Sequence, residues 1–250
     1  MNYNLIDKVI LVTGASGDIG EACAEIFLNH GARVILHAHR NKARAERLNK
    51  KYPDTSYIIR CDATDEEQVK EQFEIIKQRY KIKKINGLIN NAGDLLDRKK
   101  IEEMDWKFAN SVFEVNVKSA FLFTRYCLPM MPRNSSVVFI SSLTARCGKG
   151  DRSSAYGLSK GALISWSKCL ANELGPRGIR VNCLTPGYIK GQFHRKYTSR
   201  QAEIEHKTRN PLRRLGTPAD VADAALFYIA NSKGYVSGTT MDICGADYMC

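Results

Sequence analysis

The sequence predicts an α/β protein, a single domain spanning 1–250 and built on an open, doubly wound parallel sheet of about seven strands with helices on both faces. Three observations lead there. Short β-branched runs recur at 9–12, 33–36, 56–59, 85–89, 136–140, 179–184 and 240–243. The connections between them are long enough for helices and carry apolar stripes at helical spacing, such as Ile19, Ala22, Cys23, Ile26 and Phe27, or Val69, Phe73, Ile76 and Tyr80. Further stripes fall at Phe113, Ala120, Phe123 and Cys127 and at Val221, Ala222, Ala225 and Leu226. Finally, 250 residues of 44% hydrophobic composition bury one full core, and no repeat, low-complexity tract or Pro/Gly-rich linker divides them. In such a sheet, ligands bind at the carboxyl edge of the strands.

The first strand runs into Thr13-Gly14-Ala15-Ser16-Gly17-Asp18-Ile19-Gly20. Glycines here let the backbone approach a pyrophosphate, and the helix that follows presents its first amides to it. A plain strand-to-helix turn also uses glycine, so the order strand, turn, helix is what favours a dinucleotide. The second strand ends in His37-Ala38-His39-Arg40-Asn41-Lys42, with no acidic residue before Glu46 to hold a ribose 2′-hydroxyl. His39, Arg40, Lys42 and Arg44 instead suit a 2′-phosphate, which favours NADP(H) over NAD(H); the other reading is a solvated helix start.

Further along, Asn116 falls on the buried side of its helix between Phe113 and Ala120, where an amide must find partners. The stretch 154–174 reads as a helix whose inward stripe is Tyr156, Ser159, Lys160, Leu163, Ile164, Ser167, Leu170, Ala171 and Leu174. A lysine there needs polar company, and a cation one turn from a phenol lowers the phenol pKa towards the working pH. Tyr156 is thus a candidate proton donor. After Pro186-Gly187, residues 195–210 are charged and lack a core pattern, and 188–210 is expected to be a mobile lid over the site.

Bulk properties narrow the class. The eight cysteines are scattered, without paired spacing, as reduced cytosolic thiols would be. The start, MNYNLIDKVILVTG, has no cationic leader with a long apolar stretch, and no segment is apolar for about 20 residues, so we expect neither export nor a membrane span and place the chain in the cytoplasm. The formal charge of +12 draws any polyanion. The basic residues are nevertheless spread out, without an aromatic-basic reading motif, which argues against nucleic acid. No metal site is expected.

Together, Thr13-Gly14…Gly20, Asn90-Asn91-Ala92-Gly93, Asn116, Ser141-Ser142, Tyr156-Gly-Leu-Ser-Lys160 and Pro186-Gly187 resemble the short-chain dehydrogenase/reductase family in order and spacing, over nearly the whole chain. The resemblance implies a Rossmann-type fold and a tetrad. Tyr156 would be the general acid, Ser142 (preferred to Ser141 by its distance from Tyr156) would hold the substrate oxygen, Lys160 would activate Tyr156 and bind the ribose, and Asn116 would belong to a water-linked proton relay. It also implies that the cofactor touches Gly14, Ser16, Gly17, Asp18, Ile19, Gly20, His39, Arg40, Ala63, Asn90, Ala92, Gly93, Pro186 and Gly187, with Asp62 on the adenine and Ile189 offering its main chain to the nicotinamide amide.

Within the family, the chain looks most like the 3-oxoacyl-carrier-protein reductases, which implies NADPH-dependent carbonyl reduction, with Arg133 and Arg177 placed to meet an acidic carrier. The bland reading of those arginines is element ends. A homotetramer pairing helices 110–129 and 154–175 is implied as well. Other readings are a dehydrogenase of a sugar, sugar acid or small alcohol, and, from another class, a basic nucleic-acid-binding or NADP-sensing protein without turnover, against which the intact tetrad argues. Two positions depart from the family pattern. Asp18 stands where a glycine is usual, and we expect it to cap the helix amides at a modest cost in cofactor affinity. Asp242-Ile-Cys-Gly245 replaces a usual glycine pair, which puts the oligomer contacts of the tail in question.

Overall fold

A computed structural model describes residues 3–230 and 234–249. Seven parallel strands form one sheet in the order β3-β2-β1-β4-β5-β6-β7: β1 (Val9–Val12), β2 (Arg33–Ala38), β3 (Ser56–Arg60), β4 (Gly87–Asn90), β5 (Ser136–Ile140), β6 (Arg180–Pro186) and β7 (Thr240–Ile243). The four residues of β1 and of β4 and all of β5 and β6 are buried, because helices cover both faces. That explains why these strands read as continuous apolar runs instead of alternating ones. Several expected bounds shift: β2 runs two residues further and β3 one, β4 covers 87–90 instead of 85–89, and β6 covers 180–186 instead of 179–184.

The helices are α1 (Asp18–Asn29), α2 (Ala43–Lys51), α3 (Glu66–Gln78), α4 (Trp106–Phe113), α5 (Ser119–Cys127), α6 (Thr144–Cys147), α7 (Ser154–Leu174), α8 (Gln192–Tyr197), α9 (Arg200–Arg209) and α10 (Pro218–Ala230). On one face α3, α5 and α7 bury Phe73, Phe123, Leu163 and Leu170 against Val137 and Phe139. On the other, α1, α2 and α10 bury Phe27, Leu48, Val221 and Leu226 against Ile10, Leu36 and Val138. Alternate residues along each strand, such as Val9 and Leu11 on one face and Ile10 and Val12 on the other, thus feed two cores. Asp65 and Asp105 cap α3 and α4 through the amides of Gln68 and Phe108.

The chain order reverses between β1 and β4, so their carboxyl ends part and leave a crevice there. The segment expected as a lid folds into α8 and α9, and a parallel bridge, Ile189 to Gly216, closes it at its base. The seven cysteines among the described residues are free; Cys250 lies outside them. Among the described residues no helix is long and apolar enough to cross a membrane, and no cluster of His, Cys, Asp or Glu is disposed to hold a metal ion.

Candidate active site

A cavity of about 770 Å³ opens at the carboxyl edge, running from Gly14, Gly17 and Ile19 past Ala92 and Gly93 to Ser142, Tyr156 and Lys160, and on beneath α8 and α9. Its cofactor end is held by a polar brace. The Thr13 hydroxyl donates to the Ile89 carbonyl at 3.2 Å and accepts from the amides of Asn91 and Ala92 at 2.9 and 3.0 Å. Asn91 Nδ2 returns to the carbonyls of Thr13 and Gly14 at 3.0 and 3.1 Å. Gly14, at φ +64°, needs the freedom of glycine, and a Cβ on Gly20 would run into the Gly14 carbonyl oxygen.

His37 completes this brace. Buried at the end of β2, it accepts from the Gly14 amide through Nδ1 at 3.2 Å, and its Nε2 meets the Cys61 carbonyl at 3.2 Å. The pairing assigns the proton to Nε2. Burial pushes its pKa down to about 4, so the ring is neutral at physiological pH. His37 did not stand out as functional in the sequence, and Asn91 did so only as part of the Asn90–Gly93 motif, because each works by holding backbone.

The residues present fit a dinucleotide. In the turn before α1 a Cβ on Gly17 would meet only the Gly14 carbonyl, and the buried Ser16 hydroxyl has no hydrogen-bond partner among the described residues. Pro186, Gly187 and Ile189 form the facing wall. The bridge to Gly216 uses the Tyr188 carbonyl and the Lys190 amide, which turns Ile189's own amide and carbonyl the other way. The Asn90 side chain turns from the cleft to donate to the Thr124 hydroxyl at 2.9 Å. Beyond the cavity, at the ends of β2 and β3, His39 and Arg40 are exposed, and His39 lies 4.0 Å from Asp62, whose next residue is Ala63. Burial opposes ionisation of Asp62, but hydrogen bonds from Thr64 and the charges of His39 and Arg40 keep its carboxyl below the ordinary range.

The other two cations at the start of α2 are already engaged. Lys42 pairs with Glu46 at 2.7 Å, and Arg44 pairs with Asp18 at 2.7 Å and Glu21 at 3.1 Å. This corrects the expectation for Asp18. Gly17, not Asp18, is the N-cap of α1, and no side chain caps it. The Asp18 carboxylate instead faces Arg44 and accepts from the Gln192 amide at 2.5 Å.

At the reacting end, α7 places Tyr156, Ser159 and Lys160 on its inward side, with Ser159 and Lys160 buried. Ser141 and Ser142 separate clearly. The Ser141 hydroxyl donates to the Lys160 carbonyl at 2.7 Å and is spent on the fold. Ser142 lines the cavity, where its hydroxyl accepts from the Thr144 amide at 3.2 Å and faces that of Tyr156. Lys160 Nζ donates to the Ile140 carbonyl at 2.9 Å and lies 5.7 Å from the centre of the Tyr156 ring. Burial pushes Lys160 down to about 8.

The expected lowering of the phenol by that lysine is not found. Burial pushes Tyr156 up to about 12, the Ser142 hydroxyl opposing it and Asp94 adding to it. Removal of the phenol from water outweighs a cation directed at a carbonyl. Tyr156 is therefore held protonated, as a proton donor must be.

Asn116 is fully buried inside one turn of π-helix, Glu114–Lys118, between α4 and α5. Its Nδ2 donates to the carbonyls of Val112 and Asp94, each at 2.8 Å, while Oδ1 has no partner among the described residues. π-Bulges of this kind concentrate at functional sites. A Cβ on Gly93 would overlap Asn116 Oδ1 and come 3.0 Å from Lys160 Nζ, so glycine is what lets the loop pass between them. No periodicity announces the extra residue of the bulge.

Arg133 and Arg177 precede β5 and β6 and so stand at the amino edge, opposite Ser142 and Pro186. Arg133 packs over Gly178, and Arg177 donates to the Leu128 carbonyl at 2.8 Å. The tail folds back on the lid: Asn210 Nδ2 donates to the Cys244 carbonyl at 2.8 Å, and Asp247 meets Arg209 at 3.4 Å and Lys149 at 3.9 Å.

Residues 14–245 match the family model described as enoyl-(acyl carrier protein) reductase. The chain is 34% identical over 247 residues to the 3-oxoacyl-[acyl-carrier-protein] reductase FabG of Thermotoga maritima, covering 95% of this chain and 96% of that protein. It is 33% identical to nodulation protein G of a Rhizobium species, covering 97% and 98%. Among solved structures it resembles a short-chain dehydrogenase/reductase of Brucella melitensis termed glucose/ribitol dehydrogenase, at a TM-score of 0.92 and 27% identity over the full length of both. A putative gluconate dehydrogenase of Agrobacterium tumefaciens superposes at 0.90 with 25% identity, again over both full lengths. With the Tyr156–Lys160 pair, Ser142 and Asn116 gathered at one end of a dinucleotide cleft, the chain belongs to the short-chain dehydrogenase/reductase family, the nicotinamide-dependent oxidoreductases of carbonyl and alcohol groups.

Proposed function

We propose that the protein is an NADPH-dependent carbonyl reductase of the 3-oxoacyl-carrier-protein reductase kind. The observation that carries this reading is the convergence of a protonated Tyr156, Ser142 and Lys160 on one cavity wall, in a chain about one-third identical to FabG. Bound in the cleft, the reduced nicotinamide supplies the hydride taken up by the carbonyl carbon. Ser142 and Tyr156 hold the carbonyl oxygen and stabilise the charge that develops on it, and Tyr156 gives that oxygen its proton. Lys160 keeps a cation behind the phenol, and Asn116 with its unpaired Oδ1 anchors the route by which the proton is replaced.

NADP(H) is favoured over NAD(H) by His39 and Arg40 at the end of β2, a segment that itself supplies no carboxylate before Glu46. Arg133 and Arg177 are the proposed contact for an acidic acyl carrier. Since they lie at the opposite edge of the sheet, about 16 Å away along a five-residue strand, the acyl arm must round that edge or enter another copy's cleft. A homotetramer and a cytoplasmic site of action, where thiols stay reduced, complete the reading.

One observation favours a second reading, oxidation of a sugar or sugar acid. Beyond Tyr156 the cavity is walled by Tyr188, His194, His206, Lys149 and Arg209, a polar lining for a hydroxylated or anionic substrate. NADPH oxidation with acetoacetyl-carrier substrates, diketones and aldoses, and NADP reduction with aldonic acids, separates the two. Tyr156→Phe is expected to lower turnover by about 10²–10⁴-fold. Turnover that survives it overturns the mechanism, and preference for NADH overturns the cofactor assignment.

A further inference from the structure

The lid helix α8 is gripped at both ends by carboxylates from the two loops that face the cofactor. At its start, Asp18 of the glycine-rich turn accepts from the Gln192 amide at 2.5 Å. Gly191 allows this approach, since a Cβ there would overlap the Asp18 carboxylate. At its end, Asp94, directly after Gly93, accepts from the Tyr197 hydroxyl at 2.9 Å and meets Lys196 Nζ at 3.3 Å. Between these points α8 carries Phe193, whose ring centre lies 6.0 Å from that of Tyr156. The main chain of Asp94 also takes the Asn116 amide, so the residue that holds the lid touches the proton-relay asparagine.

Asp94 also accepts from the Leu95 amide of its own loop at 2.8 Å, whereas Asp18 does not cap its own helix and has its charge balanced by Arg44. We infer that Asp18 and Asp94 are positioning residues of the active site, two clasps that hold Phe193 over Tyr156 and let the cofactor-facing loops set the lid. The inference rests on the proposed role of Tyr156 only for its catalytic consequence. Its structural content is that the order of α8 depends on both carboxylates.

The test is hydrogen exchange of the full chain, with and without NADPH, alongside steady-state kinetics on whichever carbonyl the parent turns over. Asp94→Ala is expected to speed exchange across 191–198 about tenfold and raise substrate KM about tenfold, with kcat changed less, the size of one lost charge-assisted hydrogen bond. Asp94→Asn keeps an acceptor for Tyr197 and should recover part of both effects. Asp18→Gly should loosen the 191–193 end without weakening NADPH binding. Exchange equal to the parent's in either Asp94→Ala or Asp18→Gly overturns the inference, as does weaker NADPH binding in Asp18→Gly with an unchanged lid. Should Asp94→Ala not fold, Tyr197→Phe removes the donor while sparing the Asn116 contact, and parental exchange there overturns the inference equally. Absence of turnover in the parent would count against the proposed function alone, because the exchange comparison needs no substrate.

Discussion

The ammonium of Lys160 donates to the main-chain oxygen of Ile140 at 2.9 Å, which ties the cation behind Tyr156 to the end of β5. Burial holds Lys160 at about 8 and Tyr156 at about 12, so the lysine, not the phenol, changes charge in the accessible range. The charged form exists below its pKa. The reduction rate should therefore be full near neutrality and fall as pH rises through about 8, with Tyr156 still protonated. A kcat/KM profile that is flat between about pH 6 and 10 would show that this ammonium is not required.

His37 gives the fold an acid limit. Its pKa is about 4 in the fold against an ordinary 6.5, so the stability it contributes is present above pH 6.5 and lost as pH falls through 4. The shift corresponds to roughly 3 kcal/mol. Urea denaturation of the parent should weaken over that interval. His37→Gln keeps an acceptor for the Gly14 amide and should flatten the dependence, and identical slopes for the two proteins would contradict the assignment.

Gly20→Ala should damage cofactor binding more than folding. Its Cβ meets the carbonyl oxygen of Gly14 and comes 2.7 Å from Asn91 Nδ2, so the turn has to shift as backbone. Overpacking of this sort costs about 1–3 kcal/mol. Calorimetric titration with NADPH should show affinity lowered by about tenfold or more, the equivalent of about 1.4 kcal/mol. Parental affinity would mean the turn does not meet the pyrophosphate.

Gly93→Ala tests the spacing of the tetrad, since the added methyl presses on Asn116 Oδ1 and Lys160 Nζ together. A displacement near 1 Å at such a site costs about 10² in kcat. Stopped-flow single turnover should register that loss with the melting temperature little changed. A kcat within a factor of about three would remove Asn116 and Lys160 from the chemistry.

Charge reversal at Arg133 and Arg177 separates carrier docking from catalysis. The double change to Glu should raise KM for a carrier-linked 3-oxoacyl substrate about tenfold or more at low salt and leave a free thioester unaffected. Equal effects on the two substrates would rule out a carrier contact there.

Much of this site is legible in the chain because it is local. Tyr156 and Lys160 share one helix face, the glycine turn follows its strand directly, and β1, β5 and β7 begin and end where β-branched runs do. What stayed hidden depends on residues far apart in the chain. Asp18 looks like a first-turn capping residue until Gln192, 174 positions away, arrives beside it. The high phenol pKa follows from burial, which no spacing reports. The stretch after Pro186 lacks an apolar stripe because α9 has no buried residue, and so its helices escape a search for periodicity.

The bridge between Ile189 and Gly216 has a consequence for how the fold changes over time. The chain leaves the sheet at Pro186 and this bridge joins its two ends before α10, so 190–215 is a loop whose ends already meet. Closing such a loop depends only logarithmically on its length, about 0.6 kcal/mol for each doubling. Segments of other lengths and sequences can be exchanged at that point while Ser142, Tyr156 and Lys160 stay where β5 and α7 put them. Under the proposed function, substrate preference would then sit on a segment whose ends the fold already joins, apart from the residues proposed to do the chemistry.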